Sequence, residues 1–261
     1  MFNFIVCDLE YTLLREDKTV SEETIDRIIE LKANGVNFAV ATGRDYNSVK
    51  DLLGAAKNDV VYICNDGGSI IFQDKVISKT PIDRLSCSQI VSEMEEDSRY
   101  GVVIGTETES IICSKNYEFT KHLDSLGIVY EKVKDFREVR GDITKITLFA
   151  KNGLDELSYS QMHEKWAEKA TVGITDVEQA YVTALGVNKG SALGLVQQLF
   201  GISKEDTVVF GGGYSDIEMF DYSFFSYGMQ NADSQVREAA KHITENVDII
   251  MDDILLLIKN S

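Results

Sequence analysis

Residues 2–14 read Phe-Asn-Phe-Ile-Val-Cys-Asp-Leu-Glu-Tyr-Thr-Leu-Leu. The apolar run from Phe2 to Cys7 stops at Asp8. A strand buried on both faces of a parallel sheet has this pattern, because it has no solvent side that calls for alternation. Downstream, Ser21 offers a helix N-cap, with Glu22 and Glu23 suited to the positive end of the helix dipole. Ile25, Ile28 and Ile29 fall on one helical face, and Asn34-Gly35 closes the helix. Val36 to Ala41 (VNFAVA) is a second buried run and leads into Thr42-Gly43-Arg44. A helix carrying Val49, Leu52 and Leu53 follows, then a third run, VVYIC, over Val60 to Cys64. Strand, helix, strand, helix, strand predicts a doubly wound, Rossmann-like parallel sheet with right-handed crossovers.

The rhythm changes after Asn65-Asp66-Gly67-Gly68. SIIF and KVIS flank Gln73-Asp74 as a short hairpin. Between Ile82 and Thr183 the order is mixed. A helix over Asp83–Ser98 precedes strands GVVIG and SIICS. Helices over Tyr117–Leu126 and Leu154–Lys169 alternate with strands IVYEKV and KITLFA, and TVGIT with AYVTA forms a hairpin. Alternation resumes at Lys189. A helix over Gly190–Phe200 points Leu193, Val196, Leu199 and Phe200 inward, TVVFG is a strand, and Ser215–Phe220 begins another helix. A C-terminal helix spans Asp248–Lys259. The expected architecture is α/β: a discontinuous core of residues 1–81 and 184–261, with an α+β cap of residues 82–183 inserted into it.

Composition narrows the partners. Apolar residues are 44 % of the 261, enough for a substantial core, and the formal charge is -17. So acidic a surface repels DNA, RNA and anionic membranes. An anionic ligand then needs a local positive focus: a lysine, a helix N-terminus or a metal. Cys7, Cys64, Cys87 and Cys113 form no CxxC pair, which argues against zinc or dithiol chemistry. Cys7 and Cys64 lie in apolar runs as small hydrophobes. Met1 leads directly toward Asp8 with no charged leader or membrane-length apolar run, so a cytoplasmic location is expected. Oligomeric state has no signature. His122, His163 and His242 are expected at the surface or in packing, and Trp166 in the cap core.

Open parallel sheets bind ligands at the carboxyl ends of their strands. The residues predicted there are Asp8 to Thr12, Thr42 to Arg44, Asn65 to Gly67 and Gly212 to Asp216, with Lys189 opening a helix. Taken alone, Asp8 and Asp216 could be helix caps, and Asn65 and Asp66 turn formers. Together, the carboxylates, a hydroxyl, a lysine and glycine turns suit phosphoryl transfer through an aspartyl-phosphate. In that chemistry a carboxylate attacks, a neighbouring acid protonates the leaving oxygen, and cations offset the charge.

Five segments, in order, resemble the motifs of the haloacid-dehalogenase superfamily, in particular its Cof-type metabolite phosphatases. FIVCDLEYTLL resembles the strand and DxDGTLL, and AVATGR the second motif. ICNDGG is similar to an Asn-Gly turn, and GVNKGSAL to the lysine motif. FGGGYSDIEMF resembles GDGxNDxxMF, and GMQNA with Asn231 also matches. The resemblance spans nearly the whole chain. It implies a magnesium-dependent phosphohydrolase of a small phosphorylated metabolite, such as a sugar phosphate. Asp8 would be the nucleophile and Glu10 the acid/base. Leu9, Thr42, Gly43 and Lys189 would hold the phosphoryl group. Asp8, the Glu10 backbone carbonyl and Asp216 would hold the metal. The cap would close over the substrate. Four positions depart from the pattern: Glu10 for aspartate, Tyr11 for glycine, Gly212 for aspartate and Ser215 for asparagine. These leave an alternative, a homologue that binds a phosphorylated ligand or a partner without efficient turnover.

Overall fold

The apolar run at the start of the chain forms β1 (Phe4–Asp8), with every residue buried. The structure, a computed structural model, describes residues 2–113, 116–176 and 178–260. After β1 come α1 (Glu22–Ala33), β2 (Asn37–Ala41), α2 (Tyr46–Val49), β3 (Val60–Cys64), β4 (Ser69–Phe72) and β5 (Lys75–Lys79). The cap segment contains α3 (Arg84–Glu96), β6 (Tyr100–Thr106), β7 (Ser110–Ile112), α4 (Tyr117–Ser125), β8 (Glu131–Lys132), β9 (Ile143–Ala150), α5 (Glu156–Trp166), β10 (Ala170–Asp176) and β11 (Gln179–Ala184). The chain then returns through α6 (Lys189–Phe200), β12 (Thr207–Gly211), α7 (Ile217–Phe220), β13 (Phe225–Met229), α8 (Ser234–Ala239), β14 (His242–Thr244) and α9 (Val247–Lys259).

Two sheets result. The core sheet has the order β14-β13-β12-β1-β2-β3-β4-β5 and the cap sheet β10-β11-β9-β6-β7-β8. Core strands from β14 to β3 are parallel, and β1, β3 and β12 are buried throughout, as strands covered on both faces are. β4 and β5 add an antiparallel edge hairpin, turned by Gln73 and Asp74, both at positive φ. β1 lies in the middle, with Phe4 opposite Asn37 on one side and Thr207 on the other. The order reverses across β1, so its carboxyl end is the switch point where such sheets bind ligands. Ser21 caps α1 by accepting from the Thr24 amide at 2.9 Å. Arg27 then ties α1 to α9 through Asp252 at 2.8 Å. In the cap, α3 and α5 cover one sheet face around Ile104, Ile146, Leu148 and the buried Trp166. On the opposite face α4 covers only the part around Val103, Ile112 and Phe149, and the rest of that face turns to the core.

Several sequence expectations are corrected. IVYEKV yields only the two-residue β8, the edge of the cap sheet, which pairs with the three-residue β7. Ser114, the last residue of SIICS, lies outside the described residues. The helix after Arg44 stops at Val49. The chain then winds through a turn into a 3₁₀ segment opened by Gly54, whose φ of +48° does not continue an α-helix. Leu199 and Phe200 are not inward: they are 53 % and 36 % exposed. They sit in the last turn of α6, where Phe200 rests edge-on against Phe72 at 5.5 Å. Ile29 is also exposed, and Leu31 joins Ile28 in the core. The three histidines are exposed. Among the described residues no helix is long and apolar enough to cross a membrane.

All four cysteines are buried and unpaired. Burial raises the Cys7 and Cys64 thiols well above their ordinary range, Cys87 to about 12 and Cys113 to about 11. Thiolate is the reactive form. The native protein at pH 8 is therefore expected to react with a thiol-titrating disulfide at a small fraction of the unfolded rate, with all four sites appearing together on adding denaturant. Fast labelling of the native chain would contradict this packing.

Candidate active site

The carboxyl edge of the core sheet gathers the predicted residues. Asp8 ends β1, Thr42 follows β2, Asn65 and Asp66 follow β3, and Gly212 to Asp216 follow β12. Lys189 is the first residue of α6. Its backbone is fixed by a capping box in which the Asn188 side chain accepts from the Ser191 amide at 2.7 Å and Ser191 Oγ accepts from the Asn188 amide at 3.0 Å. The Lys189 side chain is 4 % exposed, and Nζ donates to Asp8 Oδ1 and Asp216 Oδ1, each at 2.7 Å. Asp216 is fixed in turn, because Oδ2 accepts from the Gly212 and Gly213 amides at 2.9 and 2.8 Å. Thr12 Oγ1 donates to Asp8 Oδ2 at 3.2 Å.

Two buried carboxylates around one ammonium define the electrostatics. Burial, then Asp216, push the Asp8 carboxyl well above the ordinary range, and Lys189 offsets this only in part. Burial opposes the Lys189 charge, but Asp216 and Asp8 outweigh it and raise the ammonium well above its ordinary range. The trio is thus held together by mutual charge compensation away from water.

Glu10 and Thr42 form a second group. Thr42 Oγ1 donates to Glu10 Oε2 at 3.1 Å and accepts from the Arg44 amide at 3.1 Å. Arg44 Nε lies 2.5 Å from Glu10 Oε1. The Thr42 side chain is fully buried, so Glu10 covers the hydroxyl. Leu9 is also buried, and neither it nor Thr42 is among the residues that line the cleft, whereas Gly43 is. Two departures from the family pattern prove to be neighbours. Tyr11 stands at φ +62° with its ring 69 % exposed, in a region that glycine enters freely and other residues rarely. A Cβ at Gly212 would lie 3.0 Å from the Tyr11 carbonyl oxygen and 3.0 Å from Thr12 Oγ1. The Tyr11 turn therefore occupies the approach to position 212.

The cap adds a residue that strand and motif reading passed over. Lys145, on β9, is buried at 4 % exposure and reaches across to the core. Its Nζ lies 2.5 Å from Asp66 Oδ2, donates to the Gly43 carbonyl at 2.8 Å, and sits over the Tyr181 ring at 5.6 Å. Asp66 is more than a turn former: it is fully buried at φ +50° and supplies the counter-charge. The signal was present in KITLFA, where strand alternation puts Lys145 on the same face as Thr147 and Phe149, opposite the apolar Ile146 and Leu148. Further bonds join the two units beside the cleft: Ser110 Oγ donates to Asp45 at 2.8 Å and the Asn65 side-chain Nδ2 to the Thr106 carbonyl at 2.6 Å. Between the strand ends and the bare face of the cap sheet lies a cleft of about 810 Å³.

A metal can be tested against these donors. Asp8 and Asp216 are two carboxylates gathered around one cation, Lys189 Nζ, at 2.7 Å each, and the Glu10 carbonyl accepts a 3.4 Å bond from Thr12. Magnesium takes one or two carboxylates, with water and substrate oxygens completing its shell, and the set fits that need. Among the described residues no cluster of three or more acidic, histidine or cysteine side chains is arranged to bind a metal, consistent with glycine at 212.

This fold and strand-end constellation define a class. The chain belongs to the haloacid dehalogenase-like hydrolases, whose family model matches residues 5–249. Similar curated proteins include the 5-amino-6-(5-phospho-D-ribitylamino)uracil phosphatase YbjI of Escherichia coli K12, 28 % identical over 248 residues that cover 91 % of this chain and 89 % of that protein. The HMP-PP phosphatase of Escherichia coli O6:H1 is 25 % identical over 90 % of this chain and 87 % of its own. Among solved structures, SMU.1108c from Streptococcus mutans superposes with a TM-score of 0.86 at 20 % identity, covering 98 % of this chain and all of that one, and shows the same fold.

Proposed function

We propose that the protein is a magnesium-dependent phosphatase of small phosphorylated metabolites that works through an aspartyl-phosphate on Asp8. The observation that carries this reading is the buried Asp8–Lys189–Asp216 trio at the floor of a cleft large enough for a metabolite. The phosphatase names of the relatives support the reaction class.

In this reading an Asp8 carboxylate oxygen bonds to phosphorus as the ester P–O bond breaks, and Glu10 gives its proton to the departing oxygen. A water then attacks the aspartyl-phosphate, Glu10 takes its proton, and phosphate leaves as Asp8 is restored. Lys189 neutralises the phosphoryl oxygens, and the Leu9 and Gly43 backbones with the Thr42 hydroxyl orient them. For Thr42 to do so, Glu10 must release it, and leaving Arg44 frees Glu10 for proton transfer. Asp8, the Glu10 carbonyl and Asp216 would hold magnesium, which supplies positive charge where two anions meet. We assign the core to residues 1–81 and 184–261 and the cap to 82–183. Ile82, the first residue of the cap, packs into its cluster, as do Ala184 and Val187 just beyond its last residue.

The test is phosphate release from a panel of phosphate monoesters with magnesium titrated against a chelator. Release that rises with magnesium is expected. Absence of release from every ester at any magnesium concentration would refute the reading.

The departures carry their own prediction. With aspartate missing at 212, half-maximal activity should need high magnesium, because the ion surrenders water reluctantly to few anionic ligands. Gly212→Asp alone should help little, since its Cβ meets the Tyr11 carbonyl at 3.0 Å. Combined with Tyr11→Gly, which frees the turn, it should lower the magnesium requirement about tenfold or more. Glu10→Asp should uncover Thr42 and add to the rate in a non-additive way, as the three positions surround one group. A repaired protein with unchanged magnesium demand would show that position 212 does not face the ion.

A further inference from the structure

Eight carboxylates and five cationic side chains line the cleft, and each cation already has an acceptor. Lys189 is held by Asp8 and Asp216, Arg44 by Glu10, and Arg15 by Glu23 at 3.4 Å. Lys18 donates to the Leu126 carbonyl at 3.1 Å. The fifth, Lys145, is the only cation among the cap residues of the lining, and Asp66 neutralises it at 2.5 Å with both side chains out of water. Neither Asp66 carboxylate oxygen has a hydrogen-bond partner among the described residues, so the charge of Lys145 is its compensation. Gly43 makes the pairing possible: a Cβ there would stand 2.9 Å from Lys145 Nζ and 3.1 Å from Asp66 Oδ2. The rest of this wall is uncharged. Thr147, Thr175 and Gln179 are polar, and Thr175 Oγ1 is buried without a hydrogen-bond partner among the described residues. Val103 and Phe149 are apolar.

We propose that Asp66 sets the substrate class: by occupying Lys145 it leaves the cap wall without a free cation, so the site takes phosphate monoesters of uncharged, hydroxyl-bearing leaving groups and rejects those with a second anionic group. This rests on the phosphatase reading. The transferred phosphoryl group meets Lys189. On the cap wall a second anion at the far end of the leaving group would meet only neutral donors, in a cleft with an excess of carboxylates. Like charges brought together in a desolvated site weaken binding steeply. A hydroxyl in the same place finds Thr175 Oγ1 unpaired, and satisfying a buried polar atom favours the ligand that does so.

The test uses a matched pair, glucitol 6-phosphate and 6-phosphogluconate, which differ at the far end by a hydroxymethyl against a carboxylate. Wild type should favour the first in kcat/KM by about tenfold or more. Asp66→Asn is nearly isosteric, and asparagine tolerates the left-handed backbone at this position. It frees Lys145, so the preference should fall toward unity through a gain on 6-phosphogluconate. Thr147→Lys places a free cation on the same wall and should act in the same direction, which keeps the test decisive if Asp66→Asn does not fold. Equal or reversed preference in wild type overturns the proposal, as does a preference that neither substitution moves. If wild type releases phosphate from neither ester nor from p-nitrophenyl phosphate, the phosphatase reading itself fails.

Discussion

Replacing Asp8 with asparagine is expected to lower phosphate release by about a thousandfold or more, because asparagine cannot form the acyl-phosphate and removal of a nucleophile eliminates the step on which the others depend. The same change should make the protein more stable near neutral pH. Asp8 is 2 % exposed, and burial with Asp216 alongside raises its carboxyl above the range it has in the unfolded chain. The sign follows from linkage. A carboxyl whose folded value is raised binds more protons in the folded state, so its ionisation erodes stability as pH climbs through that raised value. Asparagine does not ionise. Its advantage over wild type should therefore be absent in acid and grow toward neutrality, measured as the difference in melting temperature between the two proteins across pH. An Asp8→Asn protein that keeps most of its turnover would exclude Asp8 as nucleophile. One less stable than wild type at neutral pH would show that Lys189 compensates Asp8 fully.

Lys189→Met carries the largest expected cost in stability. Methionine matches the length of the lysine stem but leaves Asp8 and Asp216 facing one another without the ammonium that now lies 2.7 Å from each. Breaking a buried ion pair from one side typically costs about 3–5 kcal/mol, since the stranded charge remains out of water. Lys189 has a folded value raised above the unfolded one, so its contribution is complete at neutral pH and disappears only as alkali removes the proton. The variant should thus unfold at much lower urea than wild type at pH 7.5, with the gap narrowing in acid, where the stranded carboxylates protonate. Phosphate release should be lost in parallel. A urea midpoint within experimental error of wild type would mean that water reaches the two carboxylates, contrary to the buried arrangement seen here.

Much of this site was readable from residues alone because each element of it is local. An apolar run that stops at Asp8, another that stops at Thr42, and a lysine beside a capping asparagine each carry their own signal within a few residues. Parallel-sheet physics then puts their ends on one edge. What escaped reading depends on contacts between distant parts of the chain. Lys145 finds its partners at Gly43 and Asp66, on the other unit, and nothing within KITLFA announces them. Asp66 has the short, polar side chain of an ordinary turn former, and only the arrival of β9 converts it into a buried counter-ion. Glu10 pairs with Arg44 and covers Thr42, and both contacts depend on side-chain reach that motif spacing does not encode. The outward turn of Leu199 and Phe200 has the same origin, since periodicity sets a helix face but not where the neighbouring sheet ends.

The central position of β1 has a consequence for how the chain assembles as it is synthesised. One edge of β1 is satisfied early, by β2, yet the other waits for Thr207 to Phe210, which leave the ribosome only after the whole cap has been made. Throughout that interval Phe4 to Cys7 present an unpaired apolar strand edge, the kind of surface that recruits other chains. The cap sheet has no such wait, because β6 to β11 find all their ladder partners within one contiguous stretch. The cap can therefore be complete while the core is still half a sheet, and the candidate site comes into being last, when Lys189 and Asp216 reach an Asp8 made before the cap.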